Sequence, residues 1–178
     1  MTEEIISRAT MASLNKRIWM LEQEREVRAC MQRYMALCDV LDVGFDLSLL
    51  MDLFTEDAVW QGVGKRYQKT FGAYEGKEAI AKMFEKYTVP PAHFALNAHF
   101  LTNEFINVAE KTADGTWLLL QTATFHDGRS QLSSAKLTVK FSLEKEQWKI
   151  KYFQTESLFN RPMDTPWDVD KDLPTPNK

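Results

Sequence analysis

Imidazole chemistry in this chain has three possible positions: His93, His99 and His126. Histidine ionises near neutral pH, so it is the first side chain to weigh as a proton acceptor. His99 stands among Phe94, Ala95, Leu96, Ala98, Phe100 and Leu101, a phrase that reads as a strand buried on much of both faces. His93 follows Pro90-Pro91-Ala92 and reads as a strand-edge residue, and His126, just before Asp127-Gly128, reads as solvent-facing. Asp39 lies at the margin of an apolar helical stripe, near the end expected to be deepest. An unpaired buried carboxylate costs several kcal/mol or takes up a proton, and an imidazole would satisfy it. In such a pair the neutral imidazole can take a proton from carbon while the carboxylate fixes its tautomer and stabilises the imidazolium. Elimination ensues when the neighbouring carbon carries a leaving group. The same pair could also be a buried structural contact without chemistry, and the residues alone leave both roles open.

Other chemistries find little in the sequence. Cys30 and Cys38 lie eight positions apart in one helical pattern, roughly 12 Å along its axis, too far for a disulfide between them. Both read as free thiols of a reducing compartment. No His or Cys falls at metal-ligand spacing, and the seven glycines form neither a phosphate-cradling loop nor a dinucleotide fingerprint. The reaction expected is therefore free of cofactor and metal. A formal charge of −3 with the two signs interspersed lacks the basic face that nucleic acid requires. Membrane insertion is not expected either, because no apolar run approaches the roughly 20 residues of a span. The first ten residues carry two Glu and no cleavage pattern, so the expected location is cytoplasmic.

These residues must be held by one domain of 178 residues, whose 44% hydrophobic content suffices for a substantial core. Apolar spacing by threes and fours (Ile18, Leu21, Val27, Cys30, Met31, Tyr34, Leu37, Cys38, Leu41) predicts a helix from about Ser13 to Leu41. Its charges cluster in the first half, so the second half should be deeper. Asp46 should cap a second helix, Leu47 to Phe54, with Leu49, Leu50, Leu53 and Phe54 facing a core. Two short strands, Ala58 to Val63 and Tyr67 to Tyr74, should flank Gly64-Lys65-Arg66, with a helix from Lys77 to Tyr87 after them. Four longer strands are predicted, roughly His93–Ala109, Thr116–His126, Leu132–Leu143 and Gln147–Glu156. Their turns are expected at Asp114-Gly115, Asp127-Gly128 and Lys145-Glu146. Helices first and antiparallel strands last is an α+β order, and strands this long must curl to hide one face. Residues 1–159 thus read as one domain and 160–178, with Pro162, Pro166, Pro174, Pro176 and Trp167, as an extended arm lying across its own or a partner subunit.

Four phrases, in order, resemble the SnoaL-like family of the nuclear transport factor 2 superfamily. They are EVRACMQRYMALCD ending at Asp39, LFTEDAVW from Leu53 to Trp60, YEGKEAI from Tyr74 to Ile80 and HFLTNEFINV from His99 to Val108. The resemblance covers about Leu14 to Glu156 and implies a cone-shaped half-barrel, a curved, mostly antiparallel sheet wrapped around the N-terminal helices, with a ligand cavity inside. It also implies a homo-oligomer, dimer or trimer. Scytalone-type dehydratases and hexachlorocyclohexane dehydrochlorinases of this family pair a His on the matching strand with an Asp ending the first helix. The matching positions here are His99 and Asp39. The resemblance thus implies a lyase or isomerase acting on a hydrophobic cyclic small molecule, with His99 as base and Asp39 as its orienting partner. The alternative is a non-catalytic binding or assembly module of the same fold, since fold does not choose function.

Supporting positions each carry two meanings. Tyr34 shares a helical face with Cys38 and could donate a hydrogen bond to a substrate oxygen, or simply pack with its hydroxyl satisfied. Trp60, Phe125 and Phe141 would suit an apolar pocket or an ordinary core. Asn97, two residues before His99, shares its strand face, and a polar group in an apolar phrase fits a cavity lining. Cys38 stands where scytalone-type dehydratases carry a tyrosine, and Leu120-Gln121 stands where they carry a second histidine. Both departures count against scytalone-type dehydration, while Cys38 and Gln121 remain candidate pocket residues.

Overall fold

Apolar spacing on a helix decides which half of the first element is held. The computed structural model describes residues 2–167, beginning with α1 over Thr2–Asp39. Val27, Cys30, Met31, Tyr34, Met35 and Cys38 recur by threes and ones and are all buried, so the second half is the deep one, as its scarcity of charge predicted. The first half departs from expectation. The helix starts well before Ser13, and Ile18 and Leu21 stay 52% and 66% exposed. Arg28 fixes the boundary between the halves, pairing with Glu24 one turn back and with Glu104 across the sheet.

Past Gly44 the chain turns, and the Asp46 carboxylate accepts the N–H of Ser48 at the head of α2, Ser48–Met51. This helix is shorter than predicted, because Phe54 is already paired with the last strand and opens β1, Phe54–Val63. Leu53 and Phe54 are buried in either conformation, so their hydrophobicity carried no signal for the boundary. The predicted strand Tyr67–Tyr74 is instead a short helix α3, Gly64–Thr70, followed by β2, Ala73–Glu75. Tyr67 and Phe71 stand four apart, so a helix puts both rings on one face, where they pack at 4.9 Å. Gly62 allows this: a Cβ there would lie 2.6 Å from the carbonyl oxygen of Tyr67. Next come α4, Lys77–Glu85, and four long strands: β3 (Phe94–Val108), β4 (Thr112–Phe125), β5 (Ser130–Glu144) and β6 (Gln147–Met163).

The six strands form one sheet in the order β2-β1-β6-β5-β4-β3, antiparallel except for the β1–β6 pair. Register shifts add residues to β3 against β4 and to β6 against β5, and such bulges bend a sheet. The curved sheet closes over the deep half of α1, giving the expected α+β cone. Asp127-Gly128 and Lys145-Glu146 form turns as predicted, but Asp114-Gly115 does not. It lies inside β4, where Gly115 is needed because the Trp117 indole folds back over it. Two residues apart on a strand share a face, so a side chain at 115 would meet the ring. Strand β6 runs through Asn160–Met163, four residues into the segment expected to be irregular. Beyond Glu156 it has left β1 and has a neighbour on one side only, a place that tolerates Pro162. Trp167 is tied to its own sheet by its backbone N–H to Thr124 and its indole N–H to Gln131. The rest of the expected arm lies outside the described residues. Among the described residues, no helix is long and apolar enough to cross a membrane.

Candidate active site

The C-terminal turn of α1 is the natural place to begin, because a helix end leaves carbonyl groups without partners and disfavours a carboxylate. Strand β3 answers both problems. Asn97 donates its side-chain N–H to the Cys38 carbonyl (3.1 Å). His99 donates its backbone N–H to the Asp39 carboxylate (3.1 Å to Oδ1), and its ring Nδ1 lies 2.5 Å from the same oxygen. Helix and strand run in opposite senses here, Arg28 meeting Glu104 and Asp39 meeting His99. The two contacts are eleven residues apart on the helix and five on the strand, roughly 17 Å at either rise. The spacing of both elements therefore sets the pairing.

With Nδ1 committed to Asp39, the ring presents Nε2, which has no hydrogen-bond partner among the described residues. The imidazole is 12% exposed and lines a cavity of about 130 Å³. That volume is near the roughly 150 Å³ of a cavity that admits one benzene ring. Beside His99 runs a polar chain: Ser133 donates to Gln121 (3.0 Å), Gln121 donates to Asn97 (2.7 Å), and Asn97 donates to Cys38. His99, Gln121 and Ser133 are direct partners across β3, β4 and β5, so their side chains share the concave face. The opposite wall is aromatic. Trp60 stacks on Phe153 at 5.7 Å and 6°, and its indole N–H donates to the Tyr34 hydroxyl (3.0 Å). Burial pushes the Tyr34 phenol well above its usual range and the Cys38 thiol up to about 12, so both stay protonated at neutral pH. Among the described residues the lining contains no Lys, Arg, Asp or Glu side chain; Asp39 stands behind the His99 ring.

Of the candidate residues, His99, Tyr34, Cys38, Trp60, Asn97 and Gln121 meet around this cavity, with Asp39 behind them. Phe125 and Phe141 do not. Phe125 packs on Phe94, His93 and Arg129 outside it, and Phe141 is 1% exposed in the core against Trp117. His126 is exposed, as expected, and His93 stands among the Tyr87 and Phe94 rings rather than in the cavity. Sequence reasoning missed Tyr67 and Phe71, because their segment fits a strand period. Phe84 and Phe153 also line the wall, and only their apolar phasing within α4 and β6 could have indicated them. Among the described residues no group of three or more His, Cys, Asp or Glu is placed to hold a metal ion.

A curved sheet closed by helices over an apolar cavity, with a His–Asp contact on its wall, defines the class of molecule. The chain belongs to the SnoaL-like domain family, whose model matches residues 19–154. A search of curated protein sequences returns no match. Among solved structures it is similar to a provisionally named aromatic ring hydroxylase from Novosphingobium aromaticivorans, with 21% identity over 80% of this chain and 94% of that one, and a TM-score of 0.69. A provisionally named scytalone dehydratase from the same organism matches at 18% identity over 85% and 97%, with a TM-score of 0.68. Hexachlorocyclohexane dehydrochlorinase LinA-type3 from Novosphingobium barchaimii matches at 18% over 86% and 99%, with a TM-score of 0.61. At these identities the likeness carries the NTF2-like fold, which enzymes of different names and proteins of unknown function share.

Proposed function

We propose that this protein is a cofactor-independent lyase or isomerase that removes a proton from carbon on an uncharged, hydrophobic, cyclic small molecule. His99 is the base, acting through Nε2, and Asp39 holds its ring and stabilises the imidazolium. The observation that carries this reading is the 2.5 Å contact between His99 Nδ1 and Asp39 Oδ1, with the ring at the wall of an aromatic cavity. A committed Nδ1 leaves the opposite nitrogen as the reactive one, and a lining without fixed charge favours a neutral ligand. The test is a thermal-shift screen of neutral steroids, terpenoids, polyketides and halogenated rings, followed by turnover of each hit. His99→Ala should abolish turnover while leaving binding largely intact. Turnover that survives in this variant rejects the base.

A second reading, a non-catalytic binding module, draws on one particular contact. The Asp39 carboxylate accepts the backbone N–H of His99 as well as facing its ring, which is also what a purely structural tie would do. In that case ligands bind and none turns over. In either case the assembly proposed is a homo-oligomer formed through the convex sheet face. There Phe100, Leu120 and Phe159 are 52%, 37% and 46% exposed, in one row that includes Ser134 and crosses four strands. A two-fold operation lays such a row on itself, so the partner that fits is a second copy of this chain.

A further inference from the structure

Helix α1 carries two apolar stripes, and its own domain covers only one. Met20, Val27, Met31, Tyr34 and Cys38 are seven, four, three and four residues apart and keep one face of the helix. From Val27 onward that face is buried. Met11, Leu14, Ile18 and Leu21 are three, four and three residues apart and keep another face. The phase slips between them. Leu21 and Val27 are six positions apart, and at about 100° per residue six positions fall about 120° short of two full turns. The second stripe is therefore turned away from the face that the sheet covers, and all four of its side chains are exposed. Its line continues over Arg25, Ala29, Gln32 and Ala36, which are exposed as well, so no described element of this chain lies along it.

Spacing and charge together point to what fits there. Met11 and Ile18 stand at the a positions of a heptad, and Leu14 and Leu21 at the d positions. A β-branched residue at a with leucine at d favours two parallel strands. Arg17 is then a g position and Glu22 the e position of the next heptad. In a parallel pair each g position faces that following e position on the other helix, so Arg17 of each copy meets Glu22 of the other, twice across the two-fold. Both side chains are exposed, and neither has an ion-pair partner among the described residues. An antiparallel pair sets g beside g and e beside e, and loses this match. The sequence also bounds the seam, with Ser7 at the d position before Met11 and Arg25 at the a position after Leu21. We propose that the first half of α1 is a dimer contact, in which residues 11–21 of two copies of this chain pair in parallel and Arg17 of each bonds Glu22 of the other. Both domains then hang at the same end of the seam, each on the outer side of its own helix, which the angle between the stripes allows. The contact is separate from the convex row.

Sedimentation velocity at micromolar concentrations in the Phe159→Glu background, where the convex row is disrupted, reads this contact alone. That protein should be a dimer. Ile18→Glu removes two buried isoleucines from the seam and should weaken dimerisation by at least ~100-fold. Arg17→Glu and Glu22→Arg each bring like charges together at two places and should each weaken it about tenfold. The double variant Arg17→Glu/Glu22→Arg should restore it. Circular dichroism should show every variant folded, because all three positions are exposed. A Phe159→Glu protein that is monomeric at every concentration overturns the proposal, since any other occupant of the stripe would leave the pure protein unpaired. An Ile18→Glu variant that still associates overturns it too, as does a double charge variant no tighter than the two single ones, because only the parallel register makes that rescue possible. Failure of the convex contact is read apart from this: wild type and Phe159→Glu would then sediment alike.

Discussion

Replacing Asp39 with Asn tests the site most directly, because it keeps the shape and removes the charge. The carboxylate stands 2.5 Å from His99 Nδ1, and the two side chains are 27% and 12% exposed. With charge centres about 4 Å apart and an effective dielectric of about 20, the imidazolium formed on proton transfer is stabilised by about 4 kcal/mol. Partial exposure of the carboxylate reduces this, so about 3 kcal/mol is a working value, equivalent to a rate loss of ~10². The loss should fall on kcat with KM little changed, since the charge matters only once the proton has moved. Folding should barely respond, because an asparagine oxygen still accepts the His99 N–H. Asp39→Ala, by contrast, removes the acceptor and leaves that N–H unpaired, a cost of about 1–3 kcal/mol, or ~2–10 °C in Tm for a chain of this size. Kinetics on a turned-over ligand, with thermal melts of both variants, measure the two effects apart. An Asp39→Asn variant that keeps within threefold of wild-type kcat would refute the electrostatic argument. A variant that loses activity only by melting would make the contact structural.

Packing sets further outcomes. Burial raises the Cys30 and Cys38 thiols from 9.0 to about 12, so the native state keeps protons that the unfolded chain gives up. Stability is then undiminished below pH 9 and is lost as pH rises toward 12, by ~1.4 kcal/mol per unit for each thiol. Urea unfolding from pH 8 to 11 should show the slope, and Cys30→Ala should roughly halve it, Cys38 supplying the rest; a midpoint independent of pH in both would contradict the assignment. Gly115→Ala places a Cβ 2.2 Å from Trp117 Cη2, on a ring that is 2% exposed and pinned by its N–H to Glu104. It should cost about 1–3 kcal/mol, and an unchanged melting temperature would count against the close approach. Phe159→Glu puts a charge in the convex apolar row and should shift sedimentation toward the monomer. A wild-type protein that is already monomeric at micromolar concentration would remove the interface.

Much of this molecule is legible from local pattern. The deep half of α1 can be read because Val27, Met31, Tyr34 and Cys38 repeat at the helical period and charges thin out beside them. The four long strands and two of their turns can be read because Gly128 and the Lys145-Glu146 pair mark reversals in otherwise strand-like runs. His99 and Asp39 stand out as polar groups in apolar phrases, and the family resemblance pairs them. What local pattern could not carry were choices made by distant neighbours. Tyr67 and Phe71 fit a strand or a helix equally well until Gly62 admits the α3 backbone against β1. Asp114-Gly115 has turn composition, yet the Trp117 ring and pairing on both sides keep it extended. Phe125 and Phe141 lie on strands that also supply cavity residues, and only the curvature and register of the sheet exclude them from the cavity. The same holds for the site. Its residue types were present in the sequence, but the amide chain from Ser133 to the Cys38 carbonyl exists only once three strands and a helix end are in register. Hydrogen-bond direction is decided by what stands opposite, and no residue carries that information in its own identity.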